Sequence, residues 1–212
     1  MPNAFAETII QWDHIAWYYI NVRGHNAVLD FIAPFLRNPV FWAPLYLFLA
    51  IFIPARYRRN GFLWCAAFLI TFAISDQVSA SLLKPYFHRF RPCHNPWLKD
   101  MVHLMVDCGG EYGFPSVHAT NHFALGIFGA VTLSRQYKWI WPVAIGWALV
   151  VALSQVYVGV HFPLDITFGG AVGAIIGIIT GKLFNKFFRL EKPPEKTGAT
   201  WPMDNGAPNA DS

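Results

Sequence analysis

Residues 140–183 read IWPVAIGWALVVALSQVYVGVHFPLDITFGGAVGAIIGIITGKL, two long apolar runs with a short polar interruption around His161 and Asp165. Each run is near the ~20 residues that an α-helix needs to cross a bilayer. Of the 212 residues in the chain, 55% are hydrophobic and 13% are charged, whereas a soluble domain carries about 25% charged residues. The composition therefore predicts one multi-span membrane domain.

Three further apolar runs precede this stretch. The five predicted spans are Pro39–Ala55, Phe62–Leu83, Val117–Leu133, Ile140–Val160 and Phe162–Leu183. The last span carries glycines, which would let a neighbouring helix approach closely, at positions 169, 170, 173 and 177. We expect an all-α integral membrane bundle of five transmembrane helices, or six if the N-terminal segment also crosses.

Two regions flank the predicted transmembrane domain, which occupies residues 37–185. Residues 1–36 mix apolar and aromatic side chains with charges, a pattern typical of helices that lie along a membrane surface. Residues 186–212 are rich in Pro, Lys, Asn and Gly and are predicted to form a disordered cytoplasmic tail. The sequence leaves open whether the first 36 residues span the membrane.

The basic residues predict the orientation of the spans. Clusters at Arg56–Arg59, Arg135–Lys138 and Lys182–Lys196 follow alternate spans, and such clusters favour the cytoplasmic side. The loops at residues 84–117 and 155–162 then share the extracytoplasmic face. Because this arrangement accounts for the net charge of +4, we expect a membrane as the partner and not a nucleic acid.

The first of these loops opens with the motif Lys84-Pro-Tyr-Phe-His-Arg-Phe-Arg-Pro92. Arg89 and Arg91 offer planar forks of donors that match phosphate oxygens, and Lys84 offers a compact charge. The alternative is that these side chains snorkel to lipid headgroups. Since excess positive charge is not expected on the predicted extracytoplasmic side, the position of the cluster favours phosphate binding.

The second motif, Pro115-Ser116-Val117-His118, lies where the third predicted span begins. Proline suits the first turn of a helix, and a helix N-terminus presents unpaired N–H groups that bind anions. Ser116 adds a hydroxyl donor, and His118 can carry a proton near neutral pH. Alone, the motif is also typical of an ordinary helix cap with an interfacial histidine.

The third motif runs from Ser154 and Gln155 to His161 and Asp165. His161 and Asp165 are four residues apart, with Pro163 placed to begin a helix, so both side chains can share one face. A carboxylate that binds one imidazole nitrogen leaves the other nitrogen free for nucleophilic attack. A histidine–aspartate pair that only ties down a helix end is the alternative.

In this order, the three motifs resemble those of the type 2 phosphatidic acid phosphatase (PAP2) superfamily, in its branch of membrane lipid phosphatases. The superfamily signature is Lys-x6-Arg-Pro, then Pro-Ser-Gly-His, then Ser-Arg-x5-His-x3-Asp. Lys84–Pro92 fits the first motif fully. The second has Val117 in place of glycine, and the third has Gln155 in place of arginine. The resemblance covers residues 38–185.

The resemblance implies a role for each motif residue. His161 is the nucleophile that forms a phosphohistidine, Asp165 orients it, and His118 protonates the leaving oxygen. The implied phosphate ligands are Lys84, Arg91, Ser116 and backbone N–H groups near Val117. No metal and no cofactor is required, because phosphoryl transfer depends mainly on positioning and charge compensation.

The departures alter the phosphate site that the resemblance implies. Gln155 removes one cation from it, and we hypothesise that Arg89, or the amide of Gln155 itself, partly fills the gap. Val117 narrows the backbone approach that glycine permits but keeps its main-chain N–H.

Two further polar residues have open interpretations. Asp76 shares a helix face with Lys84 and is either functional or a structural hydrogen-bond partner. His122 lies one turn after His118 and either lines the pocket or packs. A zinc site of His118, His122 and Asp165 is disfavoured, because no recognisable ligand spacing is present.

The three cysteines give no metal-ligand spacing. Cys65 lies within a predicted span and is expected to act as a small apolar side chain. Cys93 and Cys108 bracket the first polar loop, where they form either a disulfide or two free thiols.

The resemblance leaves the substrate open among undecaprenyl diphosphate, phosphatidylglycerol phosphate, phosphatidic acid and the phosphates of lipid A. We expect an integral protein of a bacterial inner membrane, and the distribution of basic residues predicts that its active site faces the extracytoplasmic side. A small transporter would explain the spans but not the ordered phosphate-binding residues. A catalytically inactive lipid-phosphate-binding relative is compatible with Gln155.

Overall fold

The computed structural model describes residues 4–191, and its regular elements are helical. The α-helices are α1 (Ala4–Trp17), α2 (Ala27–Arg37), α3 (Ala43–Gln77), α4 (Lys84–Phe87), α5 (Val117–Leu133), α6 (Ile140–Tyr157) and α7 (Pro163–Phe187). π-helical turns cover Tyr18–Arg23 and Val78–Leu83, and 3-10 turns cover Pro39–Trp42, Pro92–His94 and Lys99–Met101. The predicted all-α class is confirmed.

The end of α7 bears on the predicted tail. The helix continues to Phe187, into the first residues of the region predicted to be disordered. Most of that region, residues 192–212, lies outside the described residues.

Helix α3 is a hairpin and not one straight rod. Arg58 has φ 49° and ψ −125°, which is not a helical conformation, and the chain reverses there. The rings of Tyr46 and Phe68, far apart in sequence, consequently lie 6.4 Å from each other. A Cβ on Gly61 would lie 2.4 Å from the carbonyl oxygen of Ile53, so glycine lets the two arms meet closely.

Three helical segments of the described chain are long and apolar enough to cross a membrane: Pro39–Phe87, Ile140–Tyr157 and Pro163–Phe187. The first of them contains both arms of the α3 hairpin. Helix α5 is shorter, with 17 residues, and is the central helix, because α3, α6 and α7 all pack against it. Membrane-spanning helical character, as predicted, is confirmed.

Helices α5 and α7 pack along a face of glycines that recur every four residues on α7. A Cβ on Gly173 would lie 2.1 Å from the carbonyl oxygen of Thr120. At the start of the helix, a Cβ on Gly169 would lie 2.7 Å from the carbonyl oxygen of Ser116. The predicted close approach at the glycines is confirmed, and it brings the first turns of α5 and α7 together.

The basic clusters gather at one end of the bundle. There the side-chain amide of Asn60, in the turn of the α3 hairpin, donates to the carbonyl oxygen of Arg189 (3.0 Å). The amide of Gln136, just after α5, donates to the carbonyl oxygen of Leu190. The described parts of the three clusters therefore share one end, as the alternation predicted, and the three motifs lie at the other.

The N-terminal segment, residues 4–37, packs against the motif-bearing end through buried side chains. Trp17 of α1 is fully buried, and its ring centroid lies 5.7 Å from that of Phe162. The side chain of Asn21 donates to the carbonyl oxygen of Tyr157 (2.7 Å), and the Tyr157 hydroxyl donates to Asp30 on α2 (2.6 Å). Both helices of the segment are thus tied to the bundle.

Candidate active site

The second and third motifs meet where α5 and α7 begin. The N–H of Ser116 donates to the carbonyl oxygen of Asp165 (3.0 Å). The Ser116 hydroxyl caps α5 by accepting from the N–H of Ala119 (3.4 Å). Since His118 lies in the first turn of α5 and His161 just before α7, this junction fixes both histidines at the same end of the bundle.

His161 and Asp165 form the predicted pair. His161 Nδ1 lies 3.2 Å from Asp165 Oδ2, which also accepts from the N–H of Phe162 (2.9 Å). Arg91 Nη1 lies 3.1 Å from His161 Nε2. Because a guanidinium can only donate, Nε2 is the unprotonated nitrogen and Nδ1 carries the proton that Asp165 accepts.

Burial keeps the His161 imidazole neutral. The residue is 2% exposed, and burial lowers its pKa to about 4. The Arg91 charge also lowers this pKa, whereas the hydrogen bond to Asp165 raises it. At neutral pH the imidazole therefore carries the lone pair that a nucleophile needs.

Arg91 is anchored beside that nitrogen by backbone carbonyls. Its Nε donates to the carbonyl oxygen of Gly110 (2.7 Å), and its Nη1 donates to that of Val160 (3.0 Å). Burial lowers the pKa of Arg91, and the charge of Asp165 opposes this shift. An arginine remains charged under such conditions, so Nε2 of His161 faces a fixed cation.

Lys84 and His118 lie close enough to this pair for charges to interact. Lys84 interacts electrostatically with Arg91 and Asp165. The imidazole of His118 interacts with His161 and Arg91. The structure thus brings the predicted nucleophile, its carboxylate, the second histidine and two of the predicted cations together.

Arg89 binds two carboxylates at the back of the pair. Its Nη1 donates to Asp165 Oδ1 (2.5 Å), and its Nη2 donates to Asp13 Oδ2. The guanidinium carbon also lies 4.5 Å from the ring centroid of Phe162. Asp13 is buried, and its Oδ1 accepts from the N–H of Leu164 (2.7 Å). The sequence led us to hypothesise that Arg89 binds phosphate. In this structure its guanidinium binds the two carboxylates instead.

The two departures from the superfamily motifs lie in different environments. Gln155 is fully buried, and within residues 4–191 neither side-chain amide atom has a hydrogen-bond partner. Val117 is the first residue of α5 and is partly exposed. It lines an apolar cavity together with His118.

That cavity, of about 570 Å³, lies between the arms of α3 and the start of α5. Asp76 and His122 also line it. Asp76 accepts a hydrogen bond from the side-chain amide of Asn121 (3.0 Å). This contact favours the interpretation of Asp76 as a structural hydrogen-bond partner. His122 Nδ1 donates to the carbonyl oxygen of His118 (2.8 Å), and its ring packs 4.9 Å from Trp147, so it both lines the cavity and packs.

A Cys93–Cys108 disulfide closes the loop between the first two motifs, so the disulfide alternative holds. Within residues 4–191, the side chains grouped as closely as metal ligands are Cys93, His94 and Cys108, whose two cysteines are joined in the disulfide, and separately His25, Asp30 and His103. Neither group contains a residue of the three motifs.

Sequence reasoning missed two residues that contribute to this end of the molecule, Asp13 and Arg37. Asp13 pairs with Arg89, and the charge of Arg37 acts on His118 and Arg91. The signal for Asp13 was a lone acid in an apolar stretch. Nothing in the spacing of Arg37 distinguishes it from a charge that flanks a membrane span.

Comparison with known proteins gives consistent matches. The family model described as the PAP2 superfamily matches residues 69–189, more than half of the chain. A lipid A 4′-phosphatase from Porphyromonas gingivalis is 43% identical over 56% of this chain and 50% of its own length. The chain thus spans about half the length of that relative.

Two further relatives are matched over more of their length. A lipid A 4′-phosphatase from Bacteroides thetaiotaomicron is 32% identical over 76% of this chain and 70% of its own. An undecaprenyl-diphosphatase from Sulfolobus acidocaldarius is 30% identical over 76% of this chain and 72% of its own.

Among solved structures, a transmembrane PAP2-type phosphatidylglycerolphosphate phosphatase from Bacillus subtilis has a TM-score of 0.67 at 20% identity. The match covers 90% of this chain and 91% of that one. At this identity the likeness establishes the fold alone.

Proposed function

The chain belongs to the PAP2 superfamily, and on that premise we propose that it is an integral membrane lipid phosphatase that acts through a phosphohistidine at His161. The observation that carries the proposal is the state of His161. Its Nδ1 is held by Asp165, and its unprotonated Nε2 faces Arg91. A neutral imidazole beside a fixed cation is arranged to attack a bound phosphate.

In the first step, Nε2 of His161 attacks the terminal phosphorus, and the bond between that phosphorus and the leaving-group oxygen breaks. Asp165 stabilises the positive charge that the imidazole acquires. The imidazole of His118 relays a proton to the leaving oxygen, and the singly protonated phosphate of the substrate supplies that proton. Arg91 turns its donors from Nε2 to the phosphate oxygens, where they offset the charge of the transition state.

In the second step, water attacks the phosphohistidine and the phosphorus–nitrogen bond breaks. His118, now neutral, accepts a proton from that water. Lys84, Arg91 and Ser116 hold the remaining phosphate oxygens, together with the free N–H groups of the first turn of α5. The products are inorganic phosphate and a lipid that carries one phosphate fewer, and the scheme requires no metal.

We propose five membrane crossings: the two arms of α3, then α5, α6 and α7. The basic end faces the cytoplasm, as the distribution of Lys and Arg favours. The site then lies on the extracytoplasmic face of a bacterial inner membrane. The apolar cavity beside His118 suits a hydrocarbon chain, while the phosphate stays among the polar groups.

For the substrate, we place the 4′-phosphate of lipid A first, because two relatives carry that activity in their names. Undecaprenyl diphosphate comes second, on the name of another relative. Phosphatidylglycerol phosphate and phosphatidic acid complete the panel, since each has a terminal phosphate on a membrane anchor.

The test is phosphate release by purified protein from each of these four lipids, with and without a chelator. We expect release from at least one lipid, unchanged by the chelator and lost in His161→Ala. A chelator-sensitive reaction would contradict the metal-free scheme. Binding without hydrolysis would favour an inactive relative, and flux of phosphate across vesicles without hydrolysis would favour a transporter.

A further inference from the structure

The phosphate site lacks a cation at Gln155, where the superfamily motif has arginine. Gln155 is 0% exposed, and within residues 4–191 its amide oxygen and nitrogen both lack hydrogen-bond partners. A neutral amide brings no charge to offset a phosphate dianion. Another residue must therefore supply the cation, or the site has one cation fewer than the superfamily motif provides.

Helix α2 is fixed to the end of α6, the helix that carries Gln155. Ala33 of α2 is buried in one cluster with Tyr157 and Val160, and the Tyr157 hydroxyl donates to Asp30 (2.6 Å). Residues four apart lie on the same face of a helix. Arg37, four residues after Ala33, therefore extends the face of α2 that packs on the motif-bearing end.

The position of Arg37 relative to the reacting groups follows from two observations. Pro39, two residues further along the chain, lines the same cavity as His118. The charge of Arg37 acts on both His118 and Arg91. The guanidinium is therefore near the second catalytic histidine.

Arg37 is also free to bind an anion. Among the described residues no hydrogen bond or ion pair engages its side chain, whereas Arg89 is held by two carboxylates. Burial lowers the pKa of Arg37, and the charge of Asp107 opposes that shift. Because a guanidinium stays protonated in proteins, the group remains a half-buried cation that no side chain of residues 4–191 binds directly.

We propose that Arg37 is a phosphate-binding residue that supplies, from the N-terminal segment, the cation missing at Gln155. The phosphate clamp then consists of Lys84, Arg91 and Arg37. This inference rests on the proposed phosphatase function. It assigns the N-terminal segment a direct part in substrate binding.

The test compares Arg37→Gln with Arg23→Gln, which removes the same charge from the same segment at an exposed position. We expect Arg37→Gln to lower kcat/KM about 100-fold, the scale for losing one donor to a transition-state oxyanion. The inhibition constant of inorganic phosphate, measured as a competitive inhibitor, should also rise about tenfold because one charge-assisted contact is lost. Arg23→Gln should match the wild type in both.

A second pair of variants guards against loss of folding. Arg37→Lys keeps the charge and should retain part of the phosphate affinity. Gln155→Arg in the Arg37→Gln background should recover part of the lost affinity, since it restores one cation. Unchanged phosphate affinity in both Arg37 variants would overturn the inference.

The outcomes separate this inference from the proposed function. If wild type hydrolyses a lipid phosphate, His161→Ala is inactive and Arg37→Gln equals Arg23→Gln, the inference is wrong and the function stands. If wild type hydrolyses none of the panel, the function fails. The increase in thermal stability caused by inorganic phosphate then tests the inference. If Arg37→Gln loses this increase and Arg23→Gln keeps it, the site is supported. If both variants are stabilised equally, the inference is overturned.

Discussion

The motif-bearing region, residues 84–165, and the N-terminal segment meet at the same pocket but contribute in different ways. In the proposed reaction, the motif-bearing region supplies the reacting atoms, such as His161 Nε2. The N-terminal segment supplies groups that hold or complement them, since Asp13 binds both Arg89 and the N–H of Leu164. Residues that react are fixed by short spacings, whereas residues that support them come from distant parts of the chain.

The largest effect on activity should come from replacing His161, the proposed reacting residue. We expect His161→Ala to lower kcat by about 10⁴-fold or more, because no covalent intermediate can form. The matched control is His14→Ala in the N-terminal segment, whose ring packs 4.8 Å from Phe162 and should affect kcat less than about tenfold. Equal losses in phosphate-release assays would contradict the division between reacting and supporting residues.

The next effect concerns how the motif-bearing region is assembled. Gly173→Ala should destabilise the protein by about 2–3 kcal/mol, the scale of overpacking, because the new Cβ would lie 2.1 Å from the carbonyl oxygen of Thr120. Gly129→Ala is the control, since a Cβ there meets nothing within 4 Å. Unfolding in detergent would measure both. If the two variants are equally stable, the close packing of α5 against α7 at Gly173 is not required to assemble the motif-bearing region.

A smaller effect should follow from Asp13→Asn, which tests whether the N-terminal segment positions Asp165. The amide still accepts from Leu164 but no longer offsets the Arg89 charge. We expect kcat to fall about tenfold or somewhat more, the scale for losing an outer partner of a catalytic group, with KM unchanged. That outcome would identify Asp13 as a positioning residue.

The control for that variant is Glu7→Gln, which removes an exposed acid from the same helix and should leave kcat unchanged. A rise in KM without a change in kcat would show that Asp13 acts on substrate binding. Loss of folded protein in Asp13→Asn, with normal kcat for the folded fraction, would show a role in stability alone.

Much of the bundle could be predicted from the sequence because long apolar runs and helix-start signals are local. Helix α5 has the predicted limits, Val117–Leu133. Helix α6 ends at Tyr157, short of the predicted Val160, since the chain turns there to present His161. The α3 hairpin was predicted as two spans, but its reversal at Arg58 joins them without a separate loop.

The supporting residues could not be predicted, for a physical reason. Spacing identifies partners only where both lie on one helix face, as for His161 and Asp165. Asp13 and Leu164 are hydrogen-bonded across a sequence separation of 151 residues, and no periodicity relates them. The Arg89 hypothesis illustrates the same limit, because a cation in a phosphate motif gives no sign of the buried acid that engages it.

The smallest effect is a pH dependence that both regions share. Burial lowers the pKa of His161 from 6.5 to about 4, and burial with the Arg89 charge lowers the pKa of His14. The unfolded chain then binds more protons than the folded one below pH 6.5, so stability is full above that pH and falls toward pH 4.

Each such histidine contributes at most about 1.4 kcal/mol per pH unit. Unfolding measured at pH 7 and pH 5 should therefore show a slope that is reduced in His161→Gln and, by a smaller amount, in His14→Gln. Since the pKa of His161 is lowered despite its bond to Asp165, burial must outweigh that carboxylate. If the pH dependence of the unfolding free energy is unchanged in His161→Gln, the effect of Asp165 on the pKa of His161 outweighs that of burial. The proposed nucleophile would then be protonated before substrate binds.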